Sequence, residues 1–214
     1  MRLQSAQNIR LILILSIFLS SFHGYAQQPT AKTFFDIGVE NAENAEYSEA
    51  IDAFKHAIKL KPDYAEAYFN LGHSYYSLHR YNEALDAYKS AIKINPRFEE
   101  ALISLGVVSS MLGNQKEAVN AMESAVRINP GNAESHYTLG NLYSDLGRYQ
   151  DAAESYKQAV KIKPQFAEAR FHLGIAYVKL GGSMLPAAKK ELEALKALNK
   201  DLADELDGLI KSGK

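Results

Sequence analysis

The sequence predicts an all-α repeat protein built from helical hairpins, and three observations carry that prediction. Pro62, Pro96, Pro130 and Pro164 are each 34 residues apart, and a constant spacing over four occurrences marks a repeat architecture. Glycine returns with the same period at Gly38, Gly72, Gly106, Gly140 and, in a fifth incomplete copy, Gly174. Alanines do the same at Ala50, Ala84, Ala118 and Ala152 and at Ala57, Ala91, Ala125 and Ala159, with Phe54, Tyr88, Met122 and Tyr156 between them. Small residues at fixed places let two helices approach closely, while the bulky residue fills the gap on the facing helix. Counted from Ala65, positions four, seven, eight and eleven (Tyr68, Leu71, Gly72, Tyr75) share one helical face, as do positions twenty, twenty-four and twenty-seven. One face of each helix is therefore committed to packing.

Tyr68, Leu71, Gly72, Tyr75, Ala84, Tyr88 and Pro96 closely resemble the signature of the tetratricopeptide repeat (TPR), and the likeness extends over about 170 residues. That resemblance implies a right-handed TPR solenoid of about five helix-turn-helix repeats whose first helices line a concave groove. Most members of the family bind other proteins there.

Residues 1–26 read as a secretory signal peptide. Arg2 and Arg10 precede the apolar run Leu11–Phe22, and Gly24-Tyr25-Ala26 supplies small residues where a signal peptidase inspects. As a helix that run is about 18 Å long against a hydrocarbon core of about 30 Å, so no stable membrane span is expected after cleavage. An uncleaved anchor is the alternative. Residues 27–30 form a short linker in which Thr30 is suited to cap the first helix. The array follows over 31–200, as repeats 31–64, 65–98, 99–132, 133–166 and 167–200. Repeat three is the loosest, with Ser109 for the tyrosines at 75 and 143, and Met111 and Met122 are read as refilling the lost volume. In repeat five, Gly181-Gly182 ends a helix, about two extra residues enlarge the turn, and Pro186 suits the first turn of the next helix. Residues 201–214 are a capping helix and tail, with Leu202, Leu206, Leu209 and Ile210 on one face.

Removal of the signal segment leaves 22 basic and 25 acidic side chains, a formal charge of about −3. Nucleic acid is excluded as a partner because no concentrated basic footprint exists. The chain has no cysteine, so packing alone must hold the fold. No glycosylation sequon occurs, which tilts the expected localisation towards a periplasm or cell envelope.

The first-helix face that packing leaves over carries Phe35, Phe69, Ile103, Tyr137 and Phe171 at position five, accompanied by Asn70, His73, Tyr76, Asn141, His172 and Val178. By the resemblance this face lines the groove, and an apolar row there is available to a ligand unless it only packs against the neighbouring hairpin. Glu66, Glu100, Glu134 and Glu168 recur at position two. They are read chiefly as first-turn helix stabilisers, mirrored by Lys59, Lys93, Arg127 and Lys161 in the last turns of second helices. Glu100 and Glu134 additionally tune the charge met by a partner. Some relatives clamp a C-terminal carboxylate, but the corresponding positions here are Phe35, Val39, Asn70, Glu100 and Ser104, and only Asn70 fits. That role is not carried over.

Enzymatic chemistry finds no support: there is no cysteine nucleophile, no HExxH and no phosphate-binding glycine loop. No cofactor and no metal are expected, and His73 and His172 belong to separate repeats. The expected function is that of an exported scaffold holding a segment of a protein or peptide partner. The alternatives are a self-assembling or complex-forming envelope subunit that uses its ends or convex face and, behind it, a small-ligand binder.

Overall fold

The computed structural model describes residues 29–212, all of whose regular elements are helical. The signal segment and the first residues of the linker lie outside this range. The helices are α1 (Ala31–Glu43), α2 (Tyr47–Leu60), α3 (Ala65–Ser77), α4 (Tyr81–Ile94), α5 (Glu99–Met111), α6 (Gln115–Ile128), α7 (Ala133–Asp145), α8 (Tyr149–Ile162), α9 (Ala167–Leu180), α10 (Leu185–Leu198) and α11 (Lys200–Ser212). A single 3₁₀ turn, Gly182–Met184, precedes α10. Two compact units divide within α5, between Ala101 and Leu102.

Helix starts follow from side-chain chemistry where the sequence provides it. Thr30 accepts from the Thr33 backbone at 3.2 Å while Thr33 Oγ1 accepts from the Thr30 backbone at 3.3 Å, a reciprocal cap on α1. Asn132 caps α7 through Ser135 N–H at 3.1 Å, and Asn199 caps α11 through Leu202 N–H at 3.2 Å. The first helices end on a left-handed residue, which is Gly113 in repeat three and Gly147 in repeat four but Ala45 and His79 in the first two. In α9 that place falls to Gly181, and Pro186 sits in the first turn of α10.

In the first unit, α1 packs on α2, α2 on α3 and α3 on α4. In the second, α6 packs on α7, α7 on α8, α8 on α9 and α9 on α10, with α11 against both α9 and α10. The alanines at positions twenty and twenty-seven are fully buried in all four complete repeats. The glycines explain how close the paired helices come. A Cβ placed on Gly72 would lie 2.7 Å from the Tyr88 ring, and one on Gly140 would lie 2.5 Å from the Tyr156 ring. The same notch in repeat three is filled by Met122, whose Cγ and Sδ lie 2.8 and 2.9 Å from a Cβ on Gly106.

A difference in cost follows. Gly140→Ala forces a nearly immobile aromatic ring aside and is expected to destabilise by about 1–3 kcal/mol. Gly106→Ala meets a flexible thioether and should cost clearly less. Urea unfolding of the two variants checks this; equal losses would mean that the Met122 notch is as rigid as the aromatic ones.

Two expectations need correction. Met122 does refill the volume of repeat three, being fully buried, but Met111 does not: it is 51% exposed, because it lies at the outer side of α5 beside Val107 at 36%. Position eight of the last hairpin also differs. The notch at Gly174 receives Leu206 of α11, whose Cδ2 lies 2.5 Å from a built Cβ, and no residue of α10 fills it. The enlarged turn shifts α10 in register, so the C-terminal helix supplies the missing bulk.

Candidate functional site

The first helices carry the candidate faces, and three of the position-five rings are each held from two sides. In the first unit, the Phe35 ring lies 5.8 Å from Phe54 and 4.9 Å from Tyr64, and the Phe69 ring lies 5.8 Å from Tyr88 and 5.0 Å from Phe98. In the second unit, Tyr137 repeats the arrangement with Tyr156 at 5.9 Å and Phe166 at 5.0 Å. Tilted rings at these separations are favourable contacts, so this row is partly a structural seam with one face left open. Tyr64, Phe98 and Phe166 were not singled out from the sequence, although they recur with the repeat. Repeat three breaks the seam: Ile103 stands at position five, and Asn132 serves as a cap where the other repeats place a ring.

Around the first-unit rings, His73 is exposed, Tyr76 is half-buried with its ring 5.6 Å from Tyr81, and Glu100 is exposed. The Asn70 side chain donates to the Glu66 carbonyl of its own helix at 2.8 Å, which leaves its oxygen outward. A second recurring device sits at the turn ends of hairpins two and four. Arg80 stacks over Tyr75 at 4.6 Å and pairs with Glu83 at 2.7 Å, while Arg148 stacks over Tyr143 at 4.4 Å and pairs with Asp151 at 2.8 Å. Tyr143 also donates to Glu123 at 2.6 Å, and burial together with that carboxylate pushes its phenol up to about 12. Ser109 cannot do this in repeat three and instead donates to Glu117 at 3.3 Å.

In the second unit the candidate residues fall into three situations. Tyr137, Asn141 and His172 come together. The Tyr156 hydroxyl donates to Asn141 Oδ1 at 2.7 Å, and the His172 ring lies 5.6 Å from Tyr137, 5.7 Å from Tyr156 and 5.4 Å from Phe171. Phe171 and Val178, both expected on the open face, are only 7% exposed and belong to the core formed with Leu195 and Leu206, because α11 lies over them. Glu134, expected to tune the charge of the face, is engaged by Lys163 at 2.9 Å, which holds its carboxyl below the ordinary range. Met111, read from the sequence as filler, and Val107, not placed on this face, are both exposed and extend the apolar face of α5 beside Ile103.

His172 is half-buried among these rings. Burial lowers its pKa, against the opposing pull of Glu205, Asp145 and Glu168. A group whose folded pKa lies below its unfolded value contributes stability above the unfolded pKa, near 6.5, and loses it as pH falls through the folded one. Urea stability should therefore drop on going from about pH 7 to about pH 5, and the drop should shrink in His172→Gln. An identical drop in both proteins would assign the acid sensitivity elsewhere.

Among the described residues no group of three or more His, Asp or Glu side chains is placed to hold a metal ion, and no helix is long and apolar enough to cross a membrane. Side chains that can stack, bury apolar area and exchange hydrogen bonds line the face.

Comparison with known proteins gives the family. A model described as TPR repeat matches residues 43–79 and 140–181, and three described as tetratricopeptide repeat match 65–98, 99–132 and 121–154. Together they span 43–181, more than half of the chain, and the chain belongs to the tetratricopeptide-repeat proteins. No curated protein matches it. Among solved structures, the crystal structure of MamA protein is 26% identical, with a TM-score of 0.74 over 83% of this chain and 96% of that one. MamA from Desulfovibrio magneticus RS-1 is 21% identical, with a TM-score of 0.70 over 80% of this chain and 96% of that one. YrrB, described as a TPR protein with an unusual peptide-binding site, is 20% identical, with a TM-score of 0.74 over 91% of this chain and 97% of that one. At such identities the last two establish the fold alone.

Proposed function

We propose that the protein is an exported interaction scaffold that holds a segment of a partner protein against the open faces of its first helices. The observation that carries this reading is the uneven use of the helices. Second helices bury their repeated alanines and bulky residues completely and expose large apolar side chains at their last residues, Leu60, Ile162 and Leu198, whereas first helices keep Tyr76, Val107, Met111 and Tyr137 wholly or partly open along their length. Apolar and aromatic area that the fold leaves in water is available for a partner to cover. A surface already ordered by packing avoids much of the entropic cost of binding. Family membership supports a protein-interaction role.

The test is partner capture from a cell-envelope extract by the wild-type chain and by a Tyr76→Ala, Val107→Ser, Met111→Ser variant. Val107 and Met111 are exposed and Tyr76 is half-buried, so helical circular dichroism should change little. One protein enriched by wild type and lost by the variant is the expected result. Equal recovery by both would move binding off this face, and recovery of the chain alone would favour self-assembly. Export rests on Arg2, Arg10, the run Leu11–Phe22 and the small residues before Gln27. Intact mass of the protein from the envelope fraction should begin at Gln27; retention of the first 26 residues would favour the anchor.

A further inference from the structure

Repeat three lacks tyrosine at three places where a neighbouring repeat carries it. Position four is Tyr68 in repeat two but Leu102 in repeat three. Position eleven is Tyr75 and Tyr143 in repeats two and four but Ser109, and position seventeen is Tyr81 and Tyr149 but Gln115. The groove between the two helices of the hairpin shows the result. In repeat two it is lined by Tyr68 and Tyr75 and measures about 260 Å³, whereas in repeat three it opens to about 880 Å³. Met122 fills the notch at Gly106 but does not line this groove, so the missing tyrosines are not made good here.

The enlarged cavity has the make-up of a ligand site. Leu102, Leu105 and Ala121 supply apolar area, and Gln115, Asn120 and Ser124 supply hydrogen-bonding groups. Lys116 and Glu117 contribute one charge of each sign to the lining, so a neutral guest is favoured over an ion. Gln115 points to the chemistry of that guest. Its Oε1 is shut off from solvent with no hydrogen-bond partner, an arrangement that is costly until a donor arrives. The last torsion of a glutamine is soft, so this oxygen can turn towards a donor in the cavity. The whole lining belongs to the second unit, and Leu102 and Leu105 project from the opposite side of α5 to Val107 and Met111.

We propose that this cavity is a second binding site, separate from the open first-helix faces, and that it receives a tyrosine side chain of a protein partner. The guest ring lies on Leu102, Leu105 and Ala121, where repeat two sets its own Tyr68 and Tyr75 beside Leu71 and Ala87. Its phenol donates to Gln115 Oε1 and so satisfies the one acceptor that the fold leaves buried in this lining. An aromatic ring with a polar tip suits a cavity that is apolar on its floor and amide-rich at its edge.

Amide chemical shifts of the isotope-labelled protein test it, with N-acetyltyrosinamide, N-acetylphenylalaninamide and p-cresol as probes. N-acetyltyrosinamide should bind at millimolar concentration and shift the amides of residues 102–105 and 113–121. It should bind about threefold to tenfold more tightly than its phenylalanine counterpart. Gln115→Leu keeps the bulk and removes the acceptor, so it should abolish that preference while leaving the affinity for the phenylalanine probe nearly unchanged. The Leu102→Tyr, Ser109→Tyr double change gives repeat three the tyrosines that line the smaller groove of repeat two, and it should keep its helical content and lose both amide probes. The Tyr76, Val107, Met111 variant should bind like wild type, which separates this site from the scaffold reading. Equal affinity for the two amides, in wild type, would overturn the assignment to tyrosine. Binding of p-cresol without N-acetyltyrosinamide would give the cavity to a free phenol and remove the protein partner. Shifts confined to other helices, or none at millimolar probe, would overturn the site itself.

Discussion

Leu206→Ala is expected to destabilise the protein by about 2–5 kcal/mol and to lower its thermal midpoint by something on the order of 10 °C. Leu206 is fully buried, although it belongs to the last helix of the chain, where fraying would ordinarily be expected. Its δ carbons occupy the notch left by Gly174 and join a core with Phe171, Val178 and Leu195. Truncation opens a void lined by large side chains that backbone packing prevents from collapsing, and Gly174 has no side chain to move into it. In a repeat array the exposed end is sealed by its terminal element, so the loss should also appear as faster amide exchange in α9 and α10. Leu209→Ala, at a partly exposed position of the same helix, is the control and should lose much less. Equal, small losses in both variants would show that α11 contributes little to the fold.

Breaking the Arg170–Glu191 pair is expected to be as damaging. Arg170 Nη1 donates to Glu191 Oε2 at 2.7 Å while its Nε donates to the Pro164 carbonyl at 2.8 Å. The two side chains are only 17% and 11% exposed, unlike every other ion pair described for the chain. Removing one member leaves the other charge in a poorly solvated place, which typically costs about 3–5 kcal/mol. Glu191→Ala should therefore unfold at a much lower urea concentration than wild type. The combined Arg170→Met, Glu191→Leu change removes both charges and keeps the volume, so it should recover most of the stability. Failure of the double variant to recover would mean that the pair, and not merely the avoidance of a lone charge, stabilises the fifth hairpin.

Much of this fold is written in the sequence because its main contacts are local and periodic. Gly72 meets Tyr88, and Gly140 meets Tyr156, inside one hairpin, so the same spacing that announces the repeat also names the touching residues. Alternation of small and bulky residues settles which faces are buried, and the αL termini and caps follow from glycines, Thr30 and Asn132. The candidate face was legible in part for the same reason. Tyr137, Asn141 and His172 were found by their repeat positions, and Tyr64, Phe98 and Phe166, which recur with the repeat as ring partners of Phe35, Phe69 and Tyr137, could have been.

Where the period fails, the sequence loses its power to name contacts, and tertiary structure decides. The enlarged turn before Pro186 removes the register that would have paired α10 with Gly174. Only the folded chain brings Leu206 there and buries Phe171 and Val178 beneath α11. Exposure of Met111, capture of Glu134 by Lys163 and burial of the Arg170–Glu191 pair likewise depend on which helices meet. A hydrophobic period fixes each helix face by local geometry, whereas the charge distribution over a surface depends on distances between elements that no spacing in the chain encodes.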